Sequence, residues 1–328
     1  MRALQADVLT VFVAISLALV AGIASAQQHY PSKSIRLIVP YGPGSSTDNV
    51  ARIYGQKLVD AWGQQVIVDN RPGANTVIGS EALVKAPPDG HTILLVANTH
   101  VINPLLTKLP YDPVRDFAPV AITGYVPNML TVHPSLPVNT LQEFIAYAKA
   151  RPGQLSFSTA GGGGLGHLSG ELFNKMAGVK MLHVPYKGGA AAVTDLVGGQ
   201  VQLTFSSMAA VMPQLKAGKL KGLAISGKAR HPSLPDMPTF AEGGMPSFES
   251  TNWYGIFVPT ATPRDIINTL GAEFVRIQGM PDTREKMAVQ GVDLLPGGPE
   301  QFAALIKADL EKFAQIVKSA NIRLESTQ

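Results

Sequence analysis

A short β-branched run, a break of glycine and small polar residues, and an amphipathic stretch follow one another twice in this chain. That repeated order constrains its fold more than any other feature. Ile35-Arg36-Leu37-Ile38-Val39, ended by Pro40, predicts a buried strand. Gly42-Pro43-Gly44-Ser45-Ser46 follows as a loop. Thr47 or Asp48 then caps a helix whose apolar positions Val50, Ile53, Tyr54, Leu58 and Ala61 recur at steps of three and four, with Gly63 as its stop. The second unit runs Leu155-Ser156-Phe157-Ser158-Thr159 as strand, 161–166 as loop and 167–176 as helix, with Leu168, Leu172, Phe173 and Met176 on one side. Further strands are predicted at 66–68, 92–97, 179–184 and 201–205, and helices at 78–85 and 189–197. Strands separated by helices at this rhythm imply α/β architecture with helices on both faces of parallel strands. The C-terminal third reads as helices at 263–276, 282–290 and 299–319. The last is strongly amphipathic through Phe302, Leu305, Ile306, Leu310, Phe313 and Val317.

Residues 1–26 stand apart from the fold. Arg2 gives a positive start, weakened by Asp7; residues 8–23 are apolar apart from Thr10 and Ser16; Ala24-Ser25-Ala26 fits the small-residue cleavage pattern. This predicts a secretory signal peptide. An N-terminal membrane anchor is the alternative, but the apolar run is shorter than the ~20 residues a bilayer span needs. No later stretch is long and apolar enough to span, so the mature protein is expected to work outside the cytoplasm as a soluble body. Its length suits about two domains. The absence of cysteine excludes disulfides, thiolate metal sites and a cysteine nucleophile. The formal net charge is +4, but the basic residues form no run or stripe, and no nucleic-acid partner is expected.

Catalytic and cofactor signatures fail on their details. Gly161-x-Gly163-x-x-Gly166 matches the dinucleotide fingerprint formally, yet the next strand ends His183-Val184-Pro185-Tyr186 with no acid to hold a ribose. Gly222 to Lys228 imitates a phosphate loop, but Ala229 stands where Ser or Thr must hold magnesium. The chain has no Gly-x-Ser-x-Gly, Ser-x-x-Lys or His-Glu-x-x-His, and its seven histidines show no ligand spacing. No catalytic residue, metal or cofactor is expected. What remains is physical: two glycine-rich loops, each at a helix N-terminus, can grip a carboxylate from two sides. Thr47 and Asp48 are as well explained by helix capping. His167 reads either as a neutral donor to a bound carboxylate or as a capping histidine.

Pro40-Tyr41-Gly42-Pro43-Gly44-Ser45-Ser46-Thr47-Asp48-Asn49-Val50-Ala51-Arg52 resembles the signature of the Bug family of extracytoplasmic solute receptors, the TctC-like substrate-binding proteins of tripartite tricarboxylate transporters. The same holds for Asp69-Asn70-Arg71-Pro72-Gly73-Ala74, Lys85-Ala86-Pro87-Pro88-Asp89-Gly90, Phe157-Ser158-Thr159-Ala160-Gly161 with His167-Leu168, His183-Val184-Pro185-Tyr186, Leu234-Pro235-Asp236-Met237-Pro238-Thr239 and Trp253-Tyr254-Gly255. These motifs run in order along the mature chain. The resemblance implies a two-lobe periplasmic binding protein fold of type II-like form, each lobe a mixed sheet flanked by helices, closing over a small carboxylate for delivery to a membrane transporter. Two departures bear on the ligand. Gly44-Ser45 stands where relatives carry Gly-Gly. Ser206-Ser207 stands where many carry Asp-Asn, whose Asp can face the ammonium of an amino acid; a di-, tri- or aromatic carboxylate is therefore expected.

The expected ligand contacts are Tyr41, Gly44, Ser45, Ser46, Asn98 and Thr99 from the first lobe, and Thr159, Gly162, Gly163, His167 and Ser206 from the second. The crossings are expected near Gly124-Tyr125 and before Trp253. They assign 27–124 and 252–328 to lobe 1 and 125–251 to lobe 2. The expected partners are a small carboxylate and tripartite transporter subunits, or a sensor kinase in place of the transporter, with the receptor itself monomeric. A secreted hydrolase is the remaining rival; it would turn its ligand over, where a receptor leaves it intact.

Overall fold

The computed structural model describes residues 30–186, 188–227, 229–320 and 322, so the predicted signal peptide lies outside the described residues. In chain order the elements are β1 (Ile35–Val39), α1 (Ser46–Trp62), β2 (Val66–Asn70), α2 (Val77–Val84), β3 (Thr92–Ala97), α3 (Thr99–Leu106), β4 (Phe117–Val132) and α4 (Leu141–Lys149). There follow β5 (Ser156–Thr159), α5 (Leu165–Ala177), β6 (Leu182–Pro185), α6 (Gly189–Val197), β7 (Leu203–Ser207), α7 (Met208–Lys216), β8 (Lys221–Ile225) and β9 (Thr251–Pro259). The chain closes with α8 (Arg264–Gln278), α9 (Pro281–Val289) and α10 (Pro299–Ala320). No helix among the described residues is long and apolar enough to cross a membrane.

The strands run β2-β1-β3-β9-β4-β7-β5-β6, with β8 also paired to β4. Each half of this order has a parallel set: β1 pairs β2 and β3, and β5 pairs β6 and β7. β9 is antiparallel to both β3 and β4 and fills the place between them. β4 belongs to both halves. Its residues Phe117 to Pro127 pair with β9, and Asn128 to Val132 pair with β7 and β8. Pro119 and Pro127 cannot donate to a ladder, and the register shifts between Pro119 and Ala121 and between Ile122 and Gly124. A Cβ at Gly124 would meet Val292 Cγ1 at 2.4 Å, because the 292–293 segment lies against β4 there and exchanges two backbone hydrogen bonds between Tyr125 and Asp293, both 2.8 Å.

Parallel strands covered on both faces read as unbroken apolar runs, and the two faces separate cleanly here. Leu37, Val39, Ile93 and Leu95 pack against Val50, Tyr54 and Leu58 of α1 and Phe274 of α8. Ile38, Leu94 and Val96 face the other way, with Trp253, Phe257 and the α10 residues Phe302, Ile306 and Phe313. The second half has its own aromatic core of Phe144, Phe157, Phe173, Phe205, Phe240 and Phe248. Burying each such ring contributes about 2–3 kcal/mol. Leu165 and Leu168 of α5 leave that core and join the cluster of Ile38, Val96 and Trp253, so α5 packs across to the first half.

Several expectations are corrected. The N-cap of α1 is Ser45, with extended backbone and its side chain accepting from Asp48 N–H; Thr47 and Asp48 lie inside the first turn. α5 starts at Leu165, which puts His167 in its first turn, and β6 starts only at Leu182. Helices α3, α4 and α7 add to the elements read from the sequence.

Candidate functional site

The loop after β1 is closed by its own side chains. Ser45 N–H donates to Gly42 O at 3.2 Å, and Asp48 N–H to Ser45 Oγ at 3.2 Å. The buried Asp48 carboxylate turns back to accept Gly44 N–H at 2.8 Å, and also accepts Arg52 Nε at 3.0 Å and Asn70 Nδ2 at 2.9 Å. Burial alone raises the pKa of Asp48, but these bonds and the Arg52 charge bring it below the ordinary carboxylate range. Gly44 takes φ +77°, where a side chain is strained. Gly44 N–H is therefore committed within the loop, while Ser45 Oγ, which accepts Asp48 N–H, still has its proton to donate.

Hydroxyl groups line the inner side of this first half. Tyr41 Oη lies 2.8 Å from Thr99 Oγ1 and accepts Ala97 N–H at 3.3 Å. Burial pushes the Tyr41 phenol well above its ordinary value, so it stays protonated. Tyr254, opposite Ala97 in the sheet, donates its hydroxyl to Ser46 Oγ at 3.1 Å. Asn98, buried at the end of β3, has an Nδ2 with no hydrogen-bond partner. A buried donor left unmade costs about 1–3 kcal/mol, so it marks a place for an acceptor.

The loop after β5 is built differently. Gly164 is the N-cap of α5 and has no side chain to cap it, so the helix opens with unsatisfied N–H groups. A Cβ at Gly166 would meet Phe205 O at 2.5 Å, so glycine lets the helix start press against β7. Gly163, at φ +75°, donates its N–H to His167 Nδ1 at 3.1 Å. The rings of His167 and His183 are stacked, with centroids 3.8 Å apart and planes 8° apart. Thr159 Oγ1 lies 2.7 Å from His183 Nε2 and donates to Gly161 O at 2.9 Å. Burial lowers the pKa of both imidazoles. His183 is pushed down to about 3, with the neighbouring His167 as the smaller cause.

The structure thus brings Tyr41, Thr99 and Asn98 together on one side, with Ser46 against Tyr254. On the other side it joins Thr159, Gly163 and His167 through His183. Gly162 stands half-buried between Gly161 and Gly163, and Ser206 lies half-buried near the end of β7, opposite Met129 of β4. Tyr41 packs on the same apolar cluster as Leu165 and Leu168, which relates the first set to the start of α5. Apart from Tyr254 of β9 and His183 of β6, these residues follow or end β1, β3, β5 and β7 at their carboxyl ends, where open α/β sheets place ligands. Tyr254 and His183 are additions to the sequence-derived set, and both sat in recognised motifs. No group of three or more metal-ligating side chains occurs among the described residues. A separate cavity of about 360 Å³, lined by Pro127, Ser226, Arg230, His231, Thr251 and Asp293 among others, contains none of the expected contacts.

Residues 50–322 match the family model described as tripartite tricarboxylate transporter family receptor. A UPF0065 protein from the tcbD–tcbE intergenic region of Pseudomonas sp. strain P51 is 37% identical over 301 residues, covering 91% of this chain and 89% of the relative. Among solved structures, Rpa4515 of R. palustris with adipate superposes with a TM-score of 0.84 at 34% identity, covering 90% of this chain and 99% of that one. The periplasmic binding protein BugD gives 0.80 at 32% identity, covering 90% and 100%. MatC of Rhodopseudomonas palustris with bound malate gives 0.79 at 30% identity, covering 88% of this chain and all of that one.

Proposed function

The chain belongs to the tripartite tricarboxylate transporter receptor family, and from that premise we propose that it captures a small di-, tri- or aromatic carboxylate without an amine and hands it to a membrane transporter. The observation that carries this reading is the uncapped start of α5, faced by neutral donors. An anion there meets free N–H groups and the positive end of the helix dipole. Tyr41, Thr99, Ser46 and Asn98 Nδ2 supply hydrogen bonds from the first half, and His167 Nε2–H supplies one from the second. Ser206 adds a hydroxyl at the end of β7 and no charge that would favour an ammonium group.

In this reading 27–124 and 252–328 form one lobe and 125–251 the other. β4 and β9 are the crossings, and rotation about them closes the cleft. The mature protein acts in the periplasm as a monomer. Binding leaves the ligand chemically unchanged, so no catalytic group is assigned.

Thermal unfolding against adipate, malate, citrate, benzoate, aspartate, glutamate and glucose tests the assignment. A carboxylate without an amine should raise the midpoint, since a ligand at 100 times its dissociation constant adds about 2.7 kcal/mol. That ligand should be recovered intact after prolonged incubation. Stabilisation by amino acids or sugars alone, or conversion of the ligand, would sink the proposal.

A further inference from the structure

His183 lies on β6, at the end of the strand order, and was not among the expected ligand contacts, but it touches two of them, His167 and Thr159. Its surroundings fix two proton positions. His167 Nδ1 accepts the Gly163 N–H, so in the neutral ring the proton must sit on Nε2. Nε2 has no protein acceptor among the described residues and is left to donate outward. The Thr159 hydroxyl gives its one proton to Gly161 O, so toward His183 it must accept, and His183 also carries its proton on Nε2. Phe157 lies 5.1 Å from the His183 ring and closes the inner side of the stack. The glycine loop is therefore held at Gly161 through Thr159 and His183, and at Gly163 through His167. The two holds meet in the ring stack.

Resting on the carboxylate-receptor reading, we infer that His183 is a positioning residue for ligand recognition: it locks His167 in the single tautomer, proton on Nε2, that can donate to a bound carboxylate, and it sets the curvature of the loop from Gly161 to Gly163. His183 acts on the ligand only through His167 and Thr159. Its neutral ring stacks flat on His167 and opposes the turn about Cβ–Cγ that would carry Nδ1 away from Gly163 N–H and put Cδ2 in its place. Its bond to Thr159 keeps the first glycine of the loop in place.

The test uses the full chain with ¹⁵N-labelled histidine, in wild type, His183→Gln and His183→Phe. Gln keeps a donor for Thr159 without a flat ring; Phe keeps a flat ring without the donor. Ring-nitrogen correlation spectra of the ligand-free proteins should show His167 as the single Nε2–H tautomer in wild type and in His183→Phe, and as a mixture in His183→Gln. Calorimetry with adipate and malate should show about fivefold weaker binding for each variant, the loss expected of one hydrogen bond. Unfolding midpoints should stay close to wild type, because β6 closes the strand order and His183 is only half-buried. A mixed tautomer in wild type, or a single tautomer in His183→Gln with unchanged affinity, would overturn the inference. If wild type bound neither acid while the tautomer pattern held, His183 would still fix the His167 tautomer, but its role in recognition would fall with the carboxylate reading.

Discussion

The loop after β1 ties itself together with a carboxylate: Asp48 holds Gly44 N–H, Arg52 and Asn70, and Ser45 caps the helix behind it. The loop after β5 uses no charge and no side-chain cap; two stacked imidazoles fasten it, and α5 opens bare behind it. Both are strand–glycine–helix units of similar composition, yet the first has a side-chain cap at its helix start and the second has none. Glycine content alone therefore does not make an anion cradle. What matters is whether the helix that follows already has an acceptor at its start.

If the two loops differ in this way, substitutions should affect different observables. The largest effect is expected from Asp48→Ala. It leaves Gly44 N–H without its acceptor and Asn70 Nδ2 with only the Tyr41 carbonyl, at 3.1 Å, and should cost about 3 kcal/mol of stability in urea unfolding. A loss under 1 kcal/mol would mean that the first loop is not held as described. Gly163→Val forces a branched side chain into φ +75°, a strain of about 1–3 kcal/mol confined to the second loop. Carboxylate binding should weaken by at least tenfold, while the far-ultraviolet signal stays near wild type. Unchanged affinity would move the anion site away from α5.

Acid should separate the loops along the pH axis. The unfolded chain protonates its histidines near 6.5. In the fold, burial holds His183 down to about 3 and His100 down to about 4, with the Pro113 carbonyl partly offsetting the latter. Protons bound only by the unfolded state make stability fall as pH drops from about 6.5 toward those folded values. Asp48 acts lower: its depressed carboxylate contributes fully above the ordinary carboxylate pKa and loses that contribution as pH falls through its own value. His100, packed on Phe117 and Phe257 in the first half, adds to the upper slope. A His100→Phe background should therefore have a shallower slope between pH 6.5 and 4, with the remainder tracing the second loop. Parallel curves for the two backgrounds would contradict the burial of His100.

The smallest expected signal is optical. Trp253 is fully buried, donates to Asp309 at 2.8 Å and shares its cluster with Leu165 and Leu168 of α5. Trp62 packs beside Tyr30, 5.9 Å between centroids. Ligand that draws α5 and the first half together should alter emission in wild type and in Trp62→Phe, and leave Trp253→Phe nearly silent. The reverse pattern would place the movement elsewhere.

Much of the frame was legible because its signals are local. The apolar runs of β1 and β3 have the predicted bounds, and α6 matches its prediction end to end. Helix α4 is also marked, by Thr140 and Glu143 in capping-box spacing, with Thr140 Oγ1 accepting Glu143 N–H at 3.2 Å. Other features had no local signal. α3 contains Pro104, which argues against a helix, and its place is set by packing of Val101 and Ile102. Ala74, Asn75 and Thr76 all take positive φ without being glycine, held in part by Asn103, which is 28 residues beyond Asn75. In the candidate site the loops were visible as glycine, but the meeting of His167 with His183, and of Ser46 with Tyr254, depends on strand order. Such pairs are tertiary facts, and residue types at a spacing cannot encode them.

The place of β9 between β3 and β4 has a consequence for how such a chain is made. As it emerges amino-terminus first, β3 and β4 each present an edge that β9 will later pair. The strand that joins them comes only after the whole of β5 to β8. The first sheet must wait with its ladder open while the second half is free to assemble, and open edges are where chains pair wrongly. A protein wired in this way acquires its first half last, and any factor that shields strand edges acts during that interval.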